Sequence, residues 1–314
     1  MAMGVGDRIA LDETGARALT EPSASPRSGV AAAALMPIAL LLAATISMQL
    51  GAVFAKSLFP SVGAQGAATL RLGYSALILG VTIRPWRGLS AGRRLAPLIA
   101  YGVSLGAMNT LFYMSLDTTP LGVAVSLEFL GPLGLALAAS RRPMDFAWVA
   151  LAAGGLAALL PLGQAARSVD PVGAALALGA GLCWALYIVF GRRAGADHGP
   201  RTTALGMIIA AAVFVPLGVA RVGGALFAPA LAPSAILLAL LSSAVPYSLE
   251  MVALTRVPAR VFGTLVSLSP ALGALAGLVL LREIPTLIQW AGIGAIVLAS
   301  LGATLGQQRA PPGS

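Results

Sequence analysis

Reactive and charged side chains are scarce in this 314-residue chain. It has one cysteine, one histidine and one lysine, and only 10% of its positions are charged. Cys183 has no second cysteine, so no intrachain disulfide forms. His198 alone does not give the spacing of a metal site, and no metal or organic cofactor is expected. The phosphate-cradling patterns GxGxxG and GxxxxGK[ST] are missing, so nothing points to a nucleotide site or an ATP-driven motor. Soluble domains usually carry about 25% charged residues. A chain that is 58% hydrophobic, with a mean hydropathy of +0.90, lacks the charge to cover a soluble surface. The formal charge of +9 raises nucleic acid as a partner, but no basic stripe interleaved with aromatics supports it.

What is present is apolar sequence in repeated runs. They cover about 35–57, 66–83, 95–115, 120–140, 146–162, 172–190, 202–219, 234–254, 261–281 and 287–306. Most approach the roughly 17–25 residues that cross a bilayer as a helix. They do not alternate polar and apolar positions as the strands of a membrane barrel do. The expected fold is an all-α polytopic membrane protein of ten transmembrane helices. Residues 1–30, rich in charge, proline and small polar residues, read as a disordered cytoplasmic tail rather than a cleaved signal.

The basic residues test this count. With the N-terminus in the cytoplasm, fifteen of the twenty fall inside, including Arg84, Arg87, Arg192, Arg193 and Arg201. Four fall outside (Lys56, Arg167, Arg221 and Arg282), and Arg71 lies within the second helix. Positive charge collects on the cytoplasmic side of membrane proteins, which puts both termini there.

The chain also reads as two copies of one plan. Pro120 and Pro132 recur as Pro258 and Pro270 at an offset of 138, and Trp148 recurs as Trp290. Residues 31–163 and 170–306 then form two five-helix repeats, with 307–314 as a cytoplasmic C-terminal tail. An odd number of helices per repeat inverts one against the other. Inverted repeats exchange conformations to open a midplane site to each side in turn. Pairs such as Gly102/Gly106, Gly273/Gly277 and Gly302/Gly306 have the spacing that lets helix backbones approach.

Three stretches carry a family resemblance. They are residues 101–143 (YGVSLGAMNTLFYMSLDTTPLGVAVSLEFLGPLGLALAASRRP), 177–200 (ALGAGLCWALYIVFGRRAGADHGP) and 244–283 (AVPYSLEMVALTRVPARVFGTLVSLSPALGALAGLVLLRE). They resemble the bacterial threonine/homoserine exporters of the EamA group in the drug/metabolite transporter superfamily. The likeness runs from about Ser57 to Gly306 and includes Arg71 in TLRLG, Glu128 in SLEF and Glu250 in PYSLEM. It implies ten helices in two EamA repeats, an inner-membrane location and proton-coupled efflux of small amino acids.

Polar residues inside the apolar runs are the candidate site. A carboxylate in lipid must pair, protonate, face water or meet a ligand. Glu128 lies about eight residues, roughly 12 Å, into the fourth helix. It is expected to face a central cavity and bind the substrate ammonium or a proton, the alternative being a structural hydrogen-bonded glutamate. Glu250 lies towards the cytoplasmic end of the eighth helix. Tyr247 shares its face and Pro246 is able to open the helix. Arg71 is read three ways: holding the substrate carboxylate, pairing with Glu128, or snorkelling to the surface. Asn109, Tyr113, Trp184 and Tyr187 are further cavity groups or packing residues. Pro120, Pro132, Pro246, Pro258 and Pro270 are candidates for helix opening or gating. His198 is expected in the cytoplasmic loop after the sixth helix, with no proton relay assigned to it.

The expected function is a secondary exporter in the bacterial inner membrane, with no bond chemistry. It moves a small zwitterionic amino acid outward against protons, with lipid around it and homo-oligomers left open. The alternatives are an EamA exporter of another metabolite or drug, and a polytopic membrane enzyme or lipid-binding scaffold. The short loops offer no clustered catalytic groups for the latter.

Overall fold

A computed structural model describes residues 27–87, 95–138, 143–159, 170–254 and 265–306. Its described residues contain helices and connecting turns and no strand. In order these are α1 Arg27–Ile83, α2 Leu95–Ser115, α3 Leu121–Ala138, α4 Pro143–Leu159, α5 Pro171–His198 and α6 Thr202–Val222. Then come α7 Ala232–Ala239, α8 Val245–Leu254, α9 Ser269–Ala276 and α10 Leu287–Gly306. A helix satisfies its own backbone hydrogen bonds, which lipid cannot do for it. Hydroxyls follow the same rule: Thr45, Thr69, Ser126 and Ser242 each donate to the carbonyl four residues back.

Six stretches are long and apolar enough to cross a membrane, and two shorter apolar helices accompany them among the described residues. Two of the six far exceed one crossing. α1 has 57 residues, about 85 Å if straight, against roughly 30 Å of hydrocarbon. It breaks at Gly63, where φ 69 and ψ 170 leave the helical region. No neighbour lies within 4 Å of a Cβ built there, so the backbone angle, not space, calls for glycine. The stretch Pro171–Phe227 breaks at Gly199, where φ is 60.

Large apolar side chains face outward on many elements, as at Leu77, Phe146, Leu182 and Leu287. A face of this kind suits lipid rather than water. Inside, α2 packs on α5 and α6, α3 on α5 and α9, α4 on α10, and α1 on α6, α7 and α8. Missing side chains set the closest approaches. Gly102 meets Ile209, and Gly106 meets Ala210 and Phe214, so that glycine pair lies in the α2–α6 contact. Gly273 meets Gln49 and Val125, while Gly302 lies under the Trp148 indole.

Two expectations need correction. The interval 58–65, expected as a link, is helical apart from the break at Gly63. His198, expected in a loop, is the last residue of α5 and is buried. The polar run Arg192–Asp197 signals the end of the apolar span, but a helix continues beyond lipid until Gly199 turns the chain. Residues 1–26 and 307–314 and Pro258 lie outside the described residues.

Candidate functional site

The site is built around an opened turn between α7 and α8. Residues Leu240–Ala244 are π-helical, and the Val245 N–H donates to Leu240 O, five residues back. Pro246 has no N–H, so Ser242 O loses the donor an α-helix would place four residues on. Leu241 O loses the corresponding π-type donor for the same reason. Both carbonyls find partners on α1: Ser47 Oγ donates to Leu241 O at 2.7 Å and Arg71 Nη2 to Ser242 O at 2.9 Å. Ser75 Oγ donates to Ser243 Oγ at 2.8 Å. Gly51 lets the helices come this close, because a Cβ there would stand 2.8 Å from Ser242 Cβ.

Arg71 is buried, with its guanidinium carbon 5.3 Å from the centre of the Tyr113 ring. Among the described residues neither Arg71 Nε nor Tyr113 Oη has a hydrogen-bond partner, although both atoms are buried. Glu128 is 9% exposed and within electrostatic range of Arg71. Among the described residues its carboxylate makes no hydrogen bond, and it forms no ion pair with Arg71. Buried polar groups normally have partners, so two open buried atoms beside a carboxylate that makes no hydrogen bond mark a place for a ligand or water.

Backbone contact holds Glu128 there. Pro132, inside α3, removes the N–H that would reach Glu128 O. Gly181 of α5 fills the opening: a Cβ on it would lie 2.5 Å from Glu128 O. Gly131 abuts the same glycine from α3, so the two helices touch backbone to backbone beside Glu128.

Glu250 belongs to a second group. It is within electrostatic range of Tyr187 and Tyr247, and Tyr187 stacks on Tyr101 with ring centres 4.8 Å apart. Tyr247 lies within electrostatic range of Arg71 and Tyr113 on one side and of Tyr101 and Glu250 on the other. The structure therefore gathers Arg71, Tyr113 and Glu128, gathers Glu250 with Tyr187, and sets Tyr247 between.

The other sequence candidates take packing positions. Asn109 donates to Leu105 O on its own helix at 2.8 Å. Trp184 meets Phe129 edge-on at 5.6 Å in the main core. Pro120 directly precedes α3 and its carbonyl accepts from Ala124 N at 2.9 Å, while Pro270 lies in the first turn of α9. Sequence reading missed Ser47, Ser75, Ser242, Ser243 and Tyr101. Pro246 was the signal for Ser242, since a proline inside a helix leaves open the carbonyl four residues earlier.

Three cavities lie away from this cluster, one of them, of about 290 Å³, between Gln65, Thr69, Phe214 and Arg221. Another of about 350 Å³ is bordered by Gly63, Gln65, Asp117, Thr118 and Asp170 at one end of the bundle. A groove of about 490 Å³ between α3, α4 and α5 is lined by apolar side chains, among them Leu133, Leu137 and Leu156. The polar cluster is the better candidate because, among the described residues, an unpartnered guanidinium nitrogen and an unpartnered hydroxyl lie together there.

Comparison with known proteins gives a consistent picture. The EamA-like transporter family matches residues 171–305. The threonine/homoserine exporter RhtA of Escherichia coli (strain K12) is 56% identical over 270 residues, 86% of this chain and 92% of that protein. The exporter of the same name from Salmonella typhimurium (strain SL1344) is 55% identical over 276 residues, 88% of this chain and 94% of its own. A solved crystal structure superposes with a TM-score of 0.56 at 19% identity, covering 89% of this chain and 99% of that one, which shows a shared fold.

Proposed function

This chain belongs to the EamA-like transporter family, and from that premise we propose that it exports threonine and homoserine across the bacterial inner membrane in exchange for protons. The observation that carries the reading is the set of open groups around Arg71. A zwitterionic amino acid supplies what they lack. Its carboxylate accepts from Arg71 Nε and Tyr113 Oη, and its ammonium meets the Glu128 carboxylate. Glu128 takes a proton when substrate leaves, so one carboxylate serves the two ligands in turn. Glu250, with Tyr187 and Tyr247, forms the cytoplasmic approach to that site.

The topology is ten crossings in two inverted repeats, 31–163 and 170–306, with both termini cytoplasmic. Support comes from the breaks at Gly63 and Gly199, which divide two overlong apolar stretches into four. With the other four long stretches and the two shorter helices, the crossings number ten. The family match to 171–305 alone fits a unit that recurs. Exposed Arg84 and Arg87 follow the end of α1, and exposed Arg192 and Arg193 lie in the last two turns of α5, away from Asp117 and Asp170, as a cytoplasmic face requires.

The test is efflux of labelled homoserine and threonine from preloaded vesicles, comparing the native chain with Glu128→Gln, with and without an inward proton gradient. Efflux that needs both the gradient and Glu128 is expected. Gradient-driven efflux that survives the substitution moves coupling to Glu250. No efflux of either amino acid from well-folded protein refutes the substrate.

A further inference from the structure

Glu283 makes the one ion pair found among the described residues, and sequence reading gave it no role. It lies in the five-residue link between the π-turn Gly277–Leu281 and α10. Arg282, with φ 57 and ψ 28, turns the chain back, and the Glu283 N–H donates to Gly277 O at 3.0 Å. The carboxylate then folds over the end of α9. Its Oε2 fills the place a Cβ on Gly277 would need, 2.6 Å away. Oε1 accepts from Nζ of Lys56, the only lysine in the chain, at 2.7 Å. Oε2 accepts from the Leu121 backbone N–H at 2.7 Å.

One carboxylate thus ties α1 and the first residue of α3 to the α9–α10 link, across the two proposed repeats. The tie is made where Thr118 donates to Asp170 and Gly63 turns, at the end opposite Arg84 and Arg193. Glu128 lies seven residues along α3 from Leu121, about 10 Å inward. Beneath the tie the α3–α9 contact is made of small residues. Gly122 lies against Ala274, and Gly273 against Val125. Small residues at this contact let the two backbones meet without interdigitated side chains. The ion pair remains partly wetted, with side chains 21% and 18% exposed, so water replaces the partners when it parts.

We infer that Lys56, Glu283 and the Leu121 amide form the latch that closes the outer path to Glu128, and that its release opens the carrier outward. The inference rests on the alternating-access reading above. Among the described residues no other ion pair joins the two repeats at that end. A shared carboxylate is suited to this task because its release frees α1 and α3 together.

The test uses the full chain with Cys183→Ala and Ser126→Cys. Ser126 is buried one turn inward of Gly122, and its hydroxyl bonds only to Gly122 O on its own helix. A membrane-impermeant maleimide is applied to whole cells and, separately, to inverted vesicles, and the labelling rate is compared with and without Lys56→Met or Glu283→Gln. Each substitution is expected to raise labelling from outside about tenfold, a shift of about 1.4 kcal/mol, and to lower it from inside. Unchanged outside labelling in both variants, from a parent that still exports homoserine, overturns the latch while keeping the exporter. A rise from both sides also overturns it, because that marks general loosening. A native chain that exports neither amino acid removes the substrate reading, and the two-sided labelling still decides the latch.

Discussion

Gly131→Ala is expected to destabilise the protein, whereas Gly134→Ala, three residues on in the same helix, is not. A Cβ at Gly131 runs into the carbonyl of Gly181 and lies 2.9 Å from its Cα. These are backbone atoms of α5, so no rotamer change relieves the overlap and the helices must part. Overpacking of this kind costs typically about 1–3 kcal/mol. At Gly134 nothing lies within 4 Å of the added carbon. There the exchange brings only the helix preference of alanine, up to about 1 kcal/mol in favour. The two variants should therefore differ by about 1–4 kcal/mol in reversible unfolding from mixed micelles. Gly181→Ala strikes Glu128 O at 2.5 Å across the same crossing. Once one alanine has separated the helices, the second costs less, so the double variant should fall short of the sum. Homoserine efflux should drop in Gly131→Ala because the strip that moves carries Glu128. Equal stability of the two single variants, or strict additivity in the pair, would refute backbone contact at this crossing.

Other outcomes follow from the same geometry. Tyr113→Phe keeps the ring beside Arg71 and removes a buried hydroxyl without a partner. Unfolding free energy should hold or rise by about 1 kcal/mol, while the KM for homoserine efflux rises roughly five- to tenfold. A loss of stability with unchanged KM would make that hydroxyl structural. Pro246→Ala gives Ser242 O a donor from its own helix and competes with Arg71. Thermal unfolding should move upward, by as much as about 3 kcal/mol, and efflux should slow. Faster efflux would rule out the opened turn as a working part.

Much of the fold is legible in the sequence because its causes are local. Lipid forces each run of some 20 apolar residues to satisfy its own backbone, and helix is the solution. The break within α1 was not legible: the link expected over 58–65 narrows to Gly63, where glycine holds φ 69. The candidate site was half legible. Glu128 and Arg71 stand out because charge is costly in lipid, and Pro246 announces an open carbonyl. Trp184 and Asn109 are polar enough to stand out too, yet one packs on Phe129 and the other bonds its own helix. Residue type gives the cost of burial, not the partner that meets it.

The sequence by itself determined that this is a helical membrane protein with a few charges kept inside it. It did so because scarce charge and long apolar runs are properties of short segments. Only the tertiary structure decided the partners. Arg71 and Ser242 are 171 residues apart, and Lys56 and Glu283 are 227 apart. No local pattern links such positions. They meet because small residues, Gly51 against Ser242 and Gly181 against Glu128, let the helix backbones close to within contact.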